Sequence, residues 1–243
     1  GSGVGRGSLS TFNGGNDDIT IEGNDIGNWT TGVFNQGNTD VDVLCNYIHD
    51  NVAGVANDFV SDVLIQGNDF KANGEAVGVF GSGGLNVTLN DLDGNDTTVA
   101  HYGGAEAVDA IFNWWGTSDP AAIVASVRSD GQLGNASKVN FTPVLLDSVF
   151  SGNNVVYQGV DGQSLIVNSA TGAFYFTDGD EIVSTGTGAR VQNGKLKIHE
   201  HDDQGRKIDV KGDADGNVEV VVKFKGKAKK ETFNLEPADF DNC

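Results

Sequence analysis

The phrase Ile19-Thr20-Ile21-Glu22-Gly23-Asn24-Asp25-Ile26 returns four times. It recurs as Val41-Asp42-Val43-Leu44-Cys45-Asn46-Tyr47-Ile48, Val63-Leu64-Ile65-Gln66-Gly67-Asn68-Asp69-Phe70, Leu85-Asn86-Val87-Thr88-Leu89-Asn90-Asp91-Leu92 and Val108-Asp109-Ala110-Ile111-Phe112-Asn113-Trp114-Trp115. Its asparagines stand 22, 22, 22 and 23 residues apart. A fixed period of this size marks a solenoid, in which each repeat buries its apolar face only against its neighbours. Alternate residues of a strand share a face. The columns Ile19/Val41/Val63/Leu85/Val108 and Ile21/Val43/Ile65/Val87/Ala110 therefore face one way. Ile26, Ile48, Phe70, Leu92 and Trp115 form a further apolar column, and Val33, Val55, Val77 and Val99 another. One repeat holds three short strands and three turns, with no helical spacing. The reading is a parallel β-helix with coils about 4.8 Å apart.

Asn24, Asn46, Asn68, Asn90 and Asn113 then read as a structural ladder. Stacked side-chain amides hydrogen-bond along such a column, and Asn tolerates the left-handed conformation of a sharp corner. Asn51, Asn73 and Asn95 form a second column of the same period.

Composition narrows the function classes. The chain has 243 residues, 35 Gly, 3 Pro, no Met and a formal charge of −19. Residues 1–150 carry 4 basic and 19 acidic side chains, net −15; residues 151–243 carry 11 and 15, net −4. Such a surface repels nucleic acid and anionic membranes. No apolar run approaches the roughly 20 residues of a membrane span. The absence of Met reads as a processed product or a fragment. Of the two cysteines, Cys45 reads as a small buried residue and Cys243 is the last residue; pairing between the two stays open.

Residues 1–17 read as a Gly-rich leader, with Phe12 capping the first coil. Gly14-Gly15-Asn16-Asp17-Asp18-Ile19 partly echoes a calcium-binding nonapeptide but lacks its third glycine. Asn38-Thr39-Asp40 also occurs in polygalacturonase active sites. The partner motifs of that site, Gly-His-Gly and Arg-x-Lys, are missing. A pectate-lyase reaction needs a basic residue, usually Arg, as the base together with calcium held by clustered carboxylates, and the solenoid's cations are only Arg6, Lys71, Arg128 and Lys138. Asp40, Asp42, Asp62, Asp69 and Asp91 are its stock of carboxylates for acid–base work. His101 and Tyr102 read as lining a loop.

The fifth coil runs into Asn113-Trp114-Trp115-Gly116-Thr117-Ser118-Asp119-Pro120, a short helix over 121–127, and Phe141-Thr142-Pro143. This ending resembles the terminal coil of secreted right-handed β-helix repeat proteins of bacterial surfaces, within the pectin-lyase-like superfamily. The resemblance spans residues 12–147. It implies right-handed coils and a secreted, extracellular location. It leaves activity open, because that superfamily holds lyases, hydrolases, adhesins and structural modules. Trp115 reads as a plug closing the core, with Trp114 packed under the following segment. Asp119 as N-cap and Pro120 at the first position start the helix, which blunts the open end of the stack.

After residue 150 the period stops and lysines appear. Alternating strands over 164–167, 173–177, 195–201, 207–210, 217–224 and 230–235 are separated by turn signals such as Asn193-Gly194 and Asp215-Gly216. The fold class is all-β: a right-handed parallel β-helix over 18–150, then a small antiparallel β-sandwich or barrel over 151–243. His199 and His201 share one face of a strand and are candidate metal ligands, with Asp202 and Asp203 beyond. Asp213 and Asp215 open a phrase like a calcium loop, although Phe224 stands where its closing Glu belongs. No cofactor is required by these motifs; calcium is the ion they would take. The reading is a non-enzymatic extracellular structural or adhesive protein. It would self-associate or bind other extracellular proteins, with the Lys-rich last domain meeting the acidic coils of a neighbour. The alternatives are a polysaccharide-active lyase or hydrolase and a calcium-dependent glycan-binding module.

Overall fold

The structure is a computed structural model, and it describes residues 8–11, 17–104, 106–192, 195–201, 206–223 and 230–238. Arg6, Phe12, Gly14, Gly15, Asn16, Asn193, Gly194, Asp202, Asp203, Phe224 and Cys243, named above, lie outside the described residues. The described residues divide into two compact units, the first ending at Val144 and the second beginning at Leu145.

The first unit is a parallel β-solenoid with three faces. Face one stacks Ile19–Glu22, Thr39–Leu44, Ser61–Gln66, Leu85–Thr88, Val108–Asp109 and Val139–Asn140. Face two stacks Asp25–Gly27, Tyr47–His49 and Asp69–Lys71, and isolated bridges carry it on through Asp91 to Trp114. Face three stacks Ser8–Thr11, Thr31–Gln36, Ala53–Asp58, Glu75–Phe80, Thr97–His101 and Arg128–Ser129, and ends in the short antiparallel strand Gln132–Leu133. The register repeats the sequence period: Ile19 lies beside Val41, Val41 beside Val63 and Val63 beside Leu85. These columns form the core, because Val41, Val43, Ile65, Val55, Val77 and Val99 are all fully buried. Trp115 joins Ile48, Phe70 and Leu92 in the buried column of face two and meets Phe141 edge-on at 6.2 Å.

The asparagine columns bond along the stack. Nδ2 of Asn46 donates to Oδ1 of Asn68 at 3.0 Å, and Nδ2 of Asn68 to Oδ1 of Asn90 at 3.0 Å. Each Oδ1 also accepts the backbone N–H of the Asn one coil earlier. Asn51, Asn73 and Asn95 repeat the pattern. The left-handed conformation, however, falls on the residue before each ladder Asn. Gly23, Cys45, Gly67, Leu89 and Phe112 have φ between 54° and 68°. The corner therefore spends its strain on a residue whose side chain carries no hydrogen bond of the ladder. Three more corners have the same habit, in the columns Asp18/Asp40/Asp62/Gly84, Asn28/Asp50/Ala72/Gly94 and Gly37/Phe59/Gly81/Gly103.

A helix interrupts the coils, Pro120–Ser126, with Asp119 accepting from the Ala121 N–H and Ile123 buried; Thr98 of the strand Thr97–His101 donates to its Ser126 carbonyl at 3.1 Å.

The second unit is a single antiparallel sheet rolled into a half-barrel. Its strands are Asn154–Gln158, Gln163–Asn168, Phe174–Asp178, Glu181–Gly186, Arg190–Gln192, Lys195–His201, Lys207–Gly212, Val218–Lys223 and Lys230–Pro237. Each pairs with the next except Glu181–Gly186 with Arg190–Gln192, and the first pairs with the last. The seam lies at that one unpaired step, and the sheet is an open form of the antiparallel barrel expected from the sequence. Alternate residues line the concave side: Leu165, Phe174, Phe176, Ile198, Ile208, Val220 and Leu235 share one buried cluster. Period-two patterning contributes to the roll in Lys195–His201, Lys207–Gly212 and Val218–Lys223, whose apolar residues share one side.

Candidate functional site

Face three carries a polar and aromatic grouping of side chains from three coils. Its outward row Ala56, Gly78, Ala100 holds almost no side chain, and the register continues it to Arg128. The Glu75 side chain lies across Gly78; a Cβ there would stand 2.2 Å from Glu75 Oε1. Oε2 of Glu75 accepts from the Tyr102 hydroxyl at 2.6 Å. Arg128 Nη1 donates to the same hydroxyl at 2.9 Å, and its guanidinium sits 5.7 Å from the centre of the Tyr102 ring. Phe80, one coil earlier in the same row as Tyr102, stacks on that ring at 4.5 Å with 7° between the planes. Phe59 extends the aromatic edge and is 72% exposed.

The electrostatics of this group follow from its partial burial. Burial raises the Glu75 pKa above the usual carboxylate value, against the hydrogen bond from Tyr102 and the charge of Arg128. Burial and the adjacent Glu75 raise Tyr102, against Arg128. The hydroxyl thus stays protonated at neutral pH. The cluster offers a carboxylate, a phenol, a guanidinium and the edges and outer faces of two stacked rings.

Face two carries a second charged network. His49 Nε2 lies 2.8 Å from Asp25 and Nδ1 lies 2.7 Å from Asp50, and its ring stacks on Tyr47 at 4.3 Å. Burial lowers the His49 pKa, but Asp50 and Asp25 outweigh it and the net shift is upward. Gly27 makes room for the ring, since a Cβ there would stand 2.4 Å from it. One coil on, Lys71 bonds Asp91 at 3.0 Å and lies 3.6 Å from Asp69.

The residues singled out from sequence are dispersed. Asp40 and Asp62 sit at a corner column, Asp42 points outward on face one, and Asp69 and Asp91 belong to the Lys71 network. His199 and His201 lie on one side of Lys195–His201 with rings 6.2 Å apart, but His199 Nδ1 is engaged by Asp209 at 2.6 Å. Asp213 is occupied by its own turn, accepting from the N–H groups of Asp215 and Asn217. Among the described residues no group of three or more His, Cys, Asp or Glu is placed to hold a metal. Asn24, Asn46, Asn68, Asn90 and Asn113 bond one another; Trp115 is buried and Trp114 half-buried. His101 is no loop residue: it ends strand Thr97–His101 fully buried. Asp130 lies 3.8 Å from its Nδ1, too long for a hydrogen bond, and neither ring nitrogen has a partner. Cys45 is half-buried and disulfide-bonded, so it is more than a small core residue.

Glu75 and Arg128 escaped the sequence reading because neither shares a column with Tyr102. One signal was available: Phe80 and Tyr102 stand one repeat apart. Asn35 and Asn57 also stand one repeat apart, and they form a buried amide pair at 3.3 Å. Comparison with protein-family models, curated proteins and solved structures finds no match to this chain.

Proposed function

We propose that this chain is an extracellular adhesive module whose solenoid binds a neutral polysaccharide across face three. The observation that carries the reading is the Phe80–Tyr102 stack beside Glu75 and Arg128. Sugar rings present apolar faces that pack on aromatic rings, and their hydroxyls donate to carboxylate groups and accept from guanidinium groups. Phe80 and Tyr102 stand on neighbouring coils, with Phe59 at the adjoining corner one coil earlier, so an extended chain lying along this edge meets aromatic side chains on three successive coils, about 4.8 Å apart. A neutral ligand fits the charge: the coils are strongly acidic, and Arg128 is already committed to Tyr102. The disulfide at Cys45 supports an oxidising, extracellular setting. Kinship with secreted β-helix repeat proteins, suggested by the Asn113–Gly116 ending, points the same way.

A glycan array followed by calorimetry tests this. Wild type should bind one or more neutral polysaccharides without calcium. Phe80→Ala and Arg128→Ala should each weaken binding by roughly tenfold or more, as loss of about 1.4 kcal/mol requires. If no neutral glycan binds, or if both variants bind like wild type, face three is not the site.

A further inference from the structure

Among the described residues, the convex side of the half-barrel gathers lysines into rows. Apolar residues of Lys195–His201, Lys207–Gly212 and Val218–Lys223 face the core. The alternate residues face outward, and the ladder aligns them in rows. His201 lies opposite Lys207, Lys207 opposite Lys223, and Lys223 opposite Lys230. Arg190 lies opposite Lys197, and Lys197 opposite Lys211. Between these rows Asp209 is the central anion, bonded to His199 and 3.2 Å and 3.6 Å from Lys207 and Lys223. Glu219 ends the second row beside Lys211. Like charges placed directly opposite one another destabilise a sheet pair. A chain with 34 acidic and 15 basic side chains has ample means to avoid such rows.

The complementary feature is on the coils. Asp18, Asp40 and Asp62 occupy the same corner of three successive coils, all with positive φ and all exposed. Gly84 takes the place in the fourth, where the Glu106 carboxylate accepts its N–H at 3.0 Å. The acidic column repeats once per coil, and the basic row repeats once per strand. Both distances are the interstrand spacing, about 4.7–4.9 Å. Two rows of opposite charge with one shared period match residue for residue, whereas rows of unequal period lose register within a few steps.

We propose that the Lys207–Lys223–Lys230 row of one copy docks on the Asp18–Asp40–Asp62 column of a second copy. The contact uses a different surface on each partner, so it is head-to-tail and leaves one of each surface free for further copies. It does not depend on the glycan reading above.

Sedimentation velocity at low and at about 0.5 M salt tests it, because exposed charge pairs are screened over a few ångströms at the higher value. Wild type should form oligomers at low salt and dissociate at high salt. Asp40→Asn with Asp62→Asn should be monomeric at low salt; asparagine keeps the left-handed backbone. Lys223→Glu with Lys230→Glu should also be monomeric, with circular dichroism confirming the fold of each. Mixing the two variants should give a 1:1 complex and nothing larger, since each retains one intact surface. A monomeric wild type at low salt overturns the proposal. So does an Asp40/Asp62 variant that associates like wild type. Binding of a sulfated polysaccharide to the Lys face of a chain that never self-associates would assign that face to a polyanion instead.

Discussion

Ala72 holds a backbone conformation that a Cβ resists. Its φ is 53°, it is exposed, and its column holds Asn28, Asp50 and Gly94 at the same corner. The left-handed region costs an L-residue about 1–2 kcal/mol, partly offset by the greater unfolded-state freedom of glycine. Ala72→Gly should therefore stabilise the chain by about 0.5–1 kcal/mol, read as a higher urea midpoint at unchanged slope. Asn68 stands at the opposite extreme. Its amide bonds Val43, Gln66 and Asn90, and its oxygen accepts two groups of Asn46. Asn68→Ala orphans several buried groups at once and should cost about 3 kcal/mol or more in urea unfolding. The repeat made Asn68 visible from sequence. It did not show that strain would fall on the preceding residue, because side-chain periodicity carries no record of backbone angles.

The strands of face two respond to pH through His49. The Asp50 and Asp25 contacts raise its pKa over the opposing effect of burial. A raised histidine adds stability that is complete below its unfolded pKa, near 6.5, and is lost as pH climbs through the folded value. Thermal melts should therefore fall as pH rises above about 6.5 in wild type. His49→Gln should remove this part of the slope and leave the carboxylate contribution at lower pH. A wild-type profile parallel to the variant's across that window would sink the assignment. Element by element, the coils were legible because valine and isoleucine columns recur in register, and the helix after Asp119 because its cap and proline are local signals. The half-barrel was legible only in part. Strands Asn154–Gln158, Glu181–Gly186 and Arg190–Gln192 have weak alternation, with burial patterns unlike a simple in–out strand. The closure of first strand onto last is a non-local pairing that no window of sequence displays. The Glu75–Tyr102–Arg128 cluster was hidden for the same reason: its members come from three coils and meet only because long side chains cross columns.

At the scale of the whole molecule, the disulfide at Cys45 ties local strain to global stability. Cys45 sits at a left-handed corner, φ 57°, in the column otherwise held by Gly23, Gly67, Leu89 and Phe112. Cys45→Ser, or reduction of the wild type, should lower stability by about 2–5 kcal/mol, seen as a reductant-sensitive melting temperature. The asparagine ladder gives the coil stack a further property. Asn24, Asn46, Asn68 and Asn90 each send an amide hydrogen forward to the carbonyl of the next rung. Their group dipoles add along the axis, with oxygen toward the first coil and nitrogen toward the last. Bonds in such a chain polarise one another, so a rung in the middle is stronger than a rung at either end. The stack is thus an electrical vector as well as a scaffold, and it distinguishes its two ends before any charged side chain is counted.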